Sequence, residues 1–289
     1  SLPAQTPAAP PTPAAEEEED DTDANTAEEV VLLSPFEVVS TQDTGYAATS
    51  SLAGSRLNTQ LRDVASAIQV VTPEFLEDTG STNLQDILVY TTNTEVGGIS
   101  GNFYGGSADD NNYRNRMLVN PQTGTRVRGL NQADLTRNFF TTSIPMDSYN
   151  TSRVDIQRGS NSILFGLGSP AGIINNTLKD PSMDKFTGEV QARFGSYGSY
   201  RGVVDVNQPL IADQLSVRVI GLYDREKFRQ DFTFNKDKRL YGALRWQPKL
   251  ADRVFTQIDI KGEVGRIDGN RPVAVTGADL VVDGIVGIS

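Results

Sequence analysis

Five stretches in the C-terminal third alternate apolar and polar positions with the two-residue period of a β-strand: TGEVQARFG (187–195), YRGVVDVNQPL (200–210), QLSVRVIGLYDRE (214–226), KRLYGALRWQP (238–248) and RVFTQIDIKGEVG (253–265). In the first, Val190, Ala192 and Phe194 share one face, and Glu189, Gln191 and Arg193 the other. In the fourth, Leu240, Leu244 and Trp246 oppose Arg239, Tyr241 and Arg245. In the fifth, Val254, Ile258, Ile260 and Val264 oppose Gln257, Asp259, Lys261 and Glu263. Turn signals such as Gly195-Ser196-Tyr197-Gly198 and Ala251-Asp252 separate them. One apolar and one charged face per strand fits a membrane barrel with a wet interior. A soluble sandwich also alternates. The charge on every polar face, and strands longer than the roughly 5–6 residues common in globular sheets, favour the barrel.

Upstream the period changes. ASAIQVVT (65–72) reads as a strand, and PEFLEDTG as a short helix capped by Thr72 with Pro73 at its first position. TNLQDILVY reads as a second helix, with Thr82 and Gln85 as a capping box and Leu84, Ile87 and Leu88 as its apolar stripe. Residues 97–131, rich in Gly, Asn, Asp and Arg, predict long loops. SRVDIQRG and GIINNTLK are two further short strands. The segment is therefore mixed α/β.

The N-terminus has no such pattern. Its acidic run and Asp23, Glu28 and Glu29 supply nine carboxylates and no cation, so of the net charge of −11 only −11 + 9 = −2 belongs to the rest. A Pro/Ala-rich start followed by this run cannot bury enough apolar surface to order itself, which predicts an extended tether over 1–29. The apolar island VVLLSPFEVVS (30–40) then stands alone, suited to joining the edge of another sheet. No basic segment with an apolar core precedes it, so a secretory leader is either removed or missing from the sequence.

Composition removes much chemistry. The chain has no Cys and no His, which excludes His-based triads, thiolate nucleophiles and the usual zinc sites. An acidic balance without clustered cations argues against nucleic acid. No apolar run reaches the roughly 18 residues of a membrane helix, a test that barrel strands escape. Gly166-Leu-Gly168-Ser-Pro-Ala171 spells the G-x-G-x-x-A of a dinucleotide turn, but Pro170 and the β-branched GIINNTL that follow predict a strand where that turn needs a helix.

Around that loop the residues resemble the TonB-dependent outer-membrane receptors. The stretch from Arg153 through Arg158-Gly159, Ser162, Leu164, Phe165-Gly166-Leu-Gly168, Gly172, Ile174-Asn175 to Lys179 is similar to the signature of that family's plug domain, departing at Ser160, Phe165 and Ala171. Val127–Leu130 (VRGL) looks like the plug's Arg-Gly element, and SPFEVVS sits where the family places its TonB box. The resemblance implies a mixed α/β plug domain followed by the first antiparallel strands of a transmembrane β-barrel of the ~22-stranded class, so that the chain is a fragment of the receptor. The implied divisions are a periplasmic tether at 1–29, a TonB-box region at 30–51, a plug at 52–181 and the first barrel strands at 182–289.

Residue by residue, it implies that Pro35, Phe36, Glu37, Val38 and Val39 pair with TonB by strand addition. Arg128 and Arg158 hold the plug against barrel carboxylates, and Gly129, Gly159, Gly166, Gly168 and Gly172 make its turns. Phe103, Tyr104 and Tyr113 are candidates for an apex that touches ligand. The expected protein is a monomeric importer, not an enzyme, with no cofactor or metal of its own. Its partners are TonB, outer-membrane lipid and a scarce nutrient: an iron–siderophore, cobalamin or an oligosaccharide. The rival reading is an outer-membrane binding or adhesion protein without energised transport.

Overall fold

The computed structural model describes residue 43 and residues 45–53, 57–97, 101–102, 120–159, 168–248 and 256–272. The tether, the apolar island with Pro35–Val39, the apex candidates Phe103, Tyr104 and Tyr113, and Gly166 lie outside the described residues.

The N-terminal part of the fold opens with β1 (Ser50–Ser51) and β2 (Thr59–Gln60), paired antiparallel. Then come β3 (Ala67–Val71), α1 (Pro73–Thr79), α2 (Leu84–Val89), β4 (Thr94–Val96), β5 (Thr125–Val127), β6 (Asp134–Arg137), β7 (Phe140–Thr141), β8 (Thr151–Arg158) and β9 (Gly172–Leu178). A five-stranded sheet has the order β3-β8-β9-β6-β7, in which β6 runs parallel to β9 and the other neighbours are antiparallel. Thr72 caps α1 by accepting from the Phe75 amide, and Gly80 ends it in a left-handed conformation.

The cap of α2 differs from the expected Thr82/Gln85 box. Asn83 is the N-cap and accepts from the Asp86 amide, while the Asp86 carboxylate takes the Thr82 amide and hydroxyl and the Asn83 side-chain amide. The short Asp86 side chain folds back inside one turn, and Gln85 instead reaches the Gly97 carbonyl. The apolar stripe is as expected: Leu84, Ile87 and Leu88 are buried with Val71, Leu76, Val96, Val127, Val154, Ile156 and Ile174. Each such side chain contributes about 1.5–3 kcal/mol by leaving water.

Strand β8 alternates, yet both of its faces are buried. Val154 and Ile156 join the apolar core, whereas Arg153, Asp155 and Gln157 turn to the opposite side, where they too are inaccessible. Asp43 and the segment around Ser50–Ser51 meet that polar face.

The second part is one antiparallel meander of five strands, β10 (Thr187–Gly195), β11 (Ser199–Ile211), β12 (Leu215–Lys227), β13 (Phe234–Trp246) and β14 (Ile258–Asn270), in sequence order. The last four have 13 residues each, or about 43 Å at the usual rise, enough to cross a bilayer at a tilt. Two strand boundaries differ from expectation. β13 starts at Phe234 rather than Lys238, and β14 runs on to Asn270 rather than ending at Gly265, while the expected start at Arg253 lies outside the described residues. Their pairing, from Trp246 opposite Ile258 to Phe234 opposite Asn270, extends both strands through polar residues that carry no periodic signal of their own.

The faces are those read from the alternation. One rung joins Val190, Val204, Gly221, Leu240 and Val264 on the outward face, where Phe194, Val206, Trp246, Ile258 and Ile260 are also exposed. The adjacent rung, Glu189, Asp205, Ile220, Tyr241 and Glu263, faces inward to the α/β part. Among the described residues no helix is long and apolar enough to cross a membrane, which says nothing against crossing by strands.

Candidate functional site: the interface of plug and strand wall

The inward face of the meander carries alternating charges because inward positions recur at every second residue. Arg201 of β11 sits between two carboxylates. Its guanidinium forks onto Asp147 at 2.5 and 3.0 Å and reaches Asp224 of β12 at 2.8 Å. Asp147 belongs to the α/β part, where its other task is to cap the 3-10 turn Ser148–Asn150 by accepting from the Tyr149 amide. One carboxylate thus ends a local turn and anchors a wall strand.

A second node lies on β14. Glu263 receives Arg137 of β6 through one oxygen and the Tyr149 hydroxyl, at 2.7 Å, through the other. Arg239 of β13 is 3.5 Å from the second oxygen, chelates Asp237, and donates to the Pro145 carbonyl at 2.6 Å. Burial, and then the bond to Glu263, push the Tyr149 hydroxyl far above its usual range, so it stays a donor.

The chain leaves the α/β part through a third cluster. Lys179 pairs with Asp205 at 3.1 Å, and Arg218 grips the same carboxylate at 2.9 and 2.7 Å while donating to the Asp180 carbonyl. The Asp180 side chain meets Arg245 and Lys261, the Ser182 amide donates to Asn207, and the Ser182 carbonyl accepts from Ser216. Between these polar clusters lies an apolar patch in which Tyr149 and Leu178 pack on Val203, Ile220, Leu222, Tyr241 and Ala243.

A separate charged group sits inside the α/β part. Arg153 donates to the Ser50 carbonyl at 2.7 Å, lies 3.3 Å from Asp155 and 3.4 Å from Asp43, and Ser51 donates to Asp155 at 2.8 Å. Burial pushes the Asp43 carboxyl up from its ordinary value, and Arg153 only partly offsets this.

The arginines singled out in the sequence are placed close together. Arg158 donates to the Thr92 carbonyl at 3.1 Å and to Gln69 at 2.6 Å, both within the α/β part, and burial lowers its pKa. Arg128 has a left-handed backbone (φ 58°), its amide donates to the Asn93 carbonyl, and its guanidinium lies beside Gly159. With Asn93, Thr94, Glu95 and Gly129, Arg128 lines an open cleft. Gly129, Gly159 and Gly172 have φ of 68°, 103° and 122°. Gly172 matters most, since a Cβ there would fall 2.0 Å from the Gln157 carbonyl oxygen.

The contacts that bind the two parts were not singled out in the sequence. Asp147, Arg137, Tyr149, Arg201, Arg239 and Glu263 carry them. Alternation marked Arg239 and Glu263 as inward-facing; nothing local marked their partners, since Arg137 and Glu263 stand 126 positions apart.

Comparison with known proteins agrees with this geometry. The profile of the TonB-dependent receptor plug domain matches residues 60–173. The ferric-pyoverdine 358 receptor of Pseudomonas putida is 26% identical over 238 residues, covering 79% of this chain and 27% of that protein. The metal-pseudopaline receptor CntO of Pseudomonas aeruginosa is 28% identical over 206 residues, covering 70% and 27%. Among solved structures, the outer-membrane ferripyoverdine receptor of Pseudomonas aeruginosa, bound to ferripyoverdine, superposes with a TM-score of 0.64 at 20% identity, over 81% of this chain and 32% of that one. The chain spans about a quarter of the length of the curated relatives it matches. The glycine loop leads into a strand rather than a nucleotide-binding helix, the strand wall is apolar outside and charged inside, and the profile covers β3 to the start of β9. Residues 60–173 are a TonB-dependent receptor plug domain, and the chain as a whole, plug and antiparallel strand wall together, is similar to the TonB-dependent outer-membrane receptors.

Proposed function

We propose that the receptor imports a ferric siderophore across the outer membrane with energy delivered by TonB. The observation that carries the proposal is the interface itself: three charged clusters, centred on Asp147, Glu263 and Asp205, join plug to wall around one small apolar patch. Such pairs break one at a time and are rehydrated as they separate, so a plug held this way can move without the cost of exposing a whole apolar core. The relatives support the cargo, since their names specify ferric pyoverdine and metal-pseudopaline.

In this reading residues 1–29 are the tether, 30–51 hold the TonB box, 52–181 form the plug and 182–289 begin the wall. Pro35 to Val39 pair with TonB as an added strand, where backbone hydrogen bonds supply affinity. Arg128, which lines the open cleft beside Gly159, and Arg158 hold the plug against carboxylates of the wall. Phe103, Tyr104 and Tyr113 touch the cargo. No residue here has to make or break a covalent bond.

The decisive experiment deletes residues 34–40 from the whole receptor and follows a radiolabelled ferric siderophore. Binding at the cell surface persists and uptake stops if transport is energised through this segment. Undiminished uptake after the deletion sinks the proposal, and a wild type that binds but never accumulates iron identifies a passive binding protein.

A further inference from the structure

The outward face of the wall carries a group of cations that the plug interface does not use. On β12, Ile220 and Leu222 turn inward to Tyr149 and Leu178, which sends Tyr223 and Arg225 outward. Their register partners on β13 are Lys238 and Lys236, and Lys238 is in turn opposite Arg266 of β14. Four cations therefore occupy two successive rungs of one face.

Two of these juxtapositions oppose folding. Arg225 is directly across from Lys236, and Lys238 directly across from Arg266. Like charges in that position, with Cβ atoms about 4.5–5.5 Å apart, repel. Arg266 has Asp268 on its own strand at 2.9 Å. Among the described residues, Arg225, Lys236 and Lys238 have no carboxylate partner and lie over the rings of Tyr200, Phe234 and Tyr223 at 6.0, 5.1 and 5.0 Å. The carboxylates of the same strands, Asp224 and Asp237, point to the other side and are taken by Arg201 and Arg239. On the same face Asp268 of β14 is the register partner of Lys236 and is taken by Arg266, so one carboxylate is shared among four cations and the group keeps an excess of positive charge.

Directly beside these rungs lies the apolar rung Val204, Gly221, Leu240 and Val264, continued by Val206, Val219, Ile260 and Trp246. Stacked Tyr200 and Tyr223, with ring centroids 5.5 Å apart, stand at the border. Tyrosines mark the boundary between hydrocarbon and headgroup. The cations therefore stand at headgroup height, on the side that lipid covers.

We propose that Arg225, Lys236, Lys238 and Arg266 form a binding site for the phosphate groups of a membrane lipid whose acyl chains lie along the neighbouring apolar face. An anion seated between facing cations removes both repulsions. The Arg225 guanidinium offers a planar fork and the two lysines movable point charges, a set that suits tetrahedral phosphate. Cations at a membrane surface each add roughly 1 kcal/mol of attraction to anionic lipid, about fivefold in affinity. The apolar face supplies what a soluble anion lacks.

The test uses the whole receptor, extracted in detergent and stripped of lipid. A lipid A carrying two phosphate monoesters is added, and retained lipid is counted by native mass spectrometry. The wild type retains it, and Lys236→Gln/Lys238→Gln weakens retention about thirtyfold, the product of two such contributions. Lys236→Arg/Lys238→Arg retains it, as does Lys185→Gln, at the opposite end of the same sheet. Heat-modifiable migration confirms that each variant is a folded barrel, and if the Gln pair fails this check, phosphate-free lipid A on the wild type gives the same comparison. Equal retention in the Gln pair and the wild type overturns the proposal, as does equal retention of phosphate-free lipid A. Displacement of the lipid by millimolar inorganic phosphate alone overturns the assignment to a lipid.

Discussion

Arg153 and Asp43 meet inside the plug with 3.4 Å between guanidinium and carboxylate, and each side chain is only 1% exposed. Arg153 lies on β8, an interior strand of the plug sheet between β3 and β9, whereas Asp43 is only four residues past the proposed TonB box. With the bonds of Ser50 and Ser51 to Arg153 and Asp155, this ion pair grips the N-terminal segment to the plug. Burial of the Asp43 carboxyl makes the stability of the docked segment depend on pH in a definite direction. Asp43 has its carboxyl raised, chiefly by burial, so the folded plug binds a proton more tightly than the unfolded chain. The resulting stability is complete below the unfolded carboxylate value and is lost as pH rises through the raised one. Protection of the amides of residues 45–53, measured relative to their intrinsic exchange rates, should therefore be greatest in mild acid and fall towards neutrality, and Asp43→Asn should flatten the trend. Identical profiles for the two proteins would show that Asp43 does not govern the grip.

Glu263 is the carboxylate on which plug and wall converge. Glu263→Ala leaves Arg137 and Arg239 facing one another without it and removes the acceptor of the Tyr149 hydroxyl. Breaking a buried pair by removing one partner costs about 3–5 kcal/mol. Plug amides around Ser148–Asn150 should exchange faster, and cells should admit large antibiotics more readily. Glu263→Gln, which keeps an acceptor, should have a smaller effect on both. Wild-type permeability and exchange in the Ala variant would remove Glu263 from the lock.

Gly172 tests the plug rather than its attachment. Alanine there combines a φ of 122° with a Cβ 2.0 Å from the Gln157 carbonyl, at the β8–β9 pairing of Arg158 with Gly172. Strain of this kind costs about 1–3 kcal/mol before any displacement of β8. Gly172→Ala should lower the thermal stability of the plug and the amount of receptor in the membrane. Gly129→Ala, with the same backbone problem but open space around it, should cost less. An equal loss in the two variants would mean that the clash at Gly172 relaxes freely.

The wall was legible because its alternation is a local property, with Val190, Leu240 and Val264 outward and Glu189, Arg239 and Glu263 inward. The ends of β13 and β14 were not, since Asn235 to Lys238 are polar, Arg266 to Asn270 hold one apolar residue, Ile267, and both segments belong to strands because they face each other. The cap of α2 was misplaced by one residue because Thr82 and Asn83 are both able to cap, and only the reach of Asp86 decides between them. Strand β8 was legible as a strand, but not the burial of both its faces. Its polar face is covered by Asp43 and Ser50–Ser51, more than a hundred positions earlier in the chain, and no periodicity reports such a neighbour. The lock was hidden for the same reason: the charges were visible, and their pairing across 54 positions for Arg201 with Asp147 and 126 for Arg137 with Glu263 was not.

The apolar contact of Tyr149 and Leu178 with Val203, Ile220, Leu222, Tyr241 and Ala243 has a bearing on where a solute can travel. Side chains packed this closely leave no room for a file of water, and a hydrated iron chelate is far larger than one water molecule. This arc of the cylinder is a gasket. A corridor for cargo, whichever event opens it, has to run down a different side.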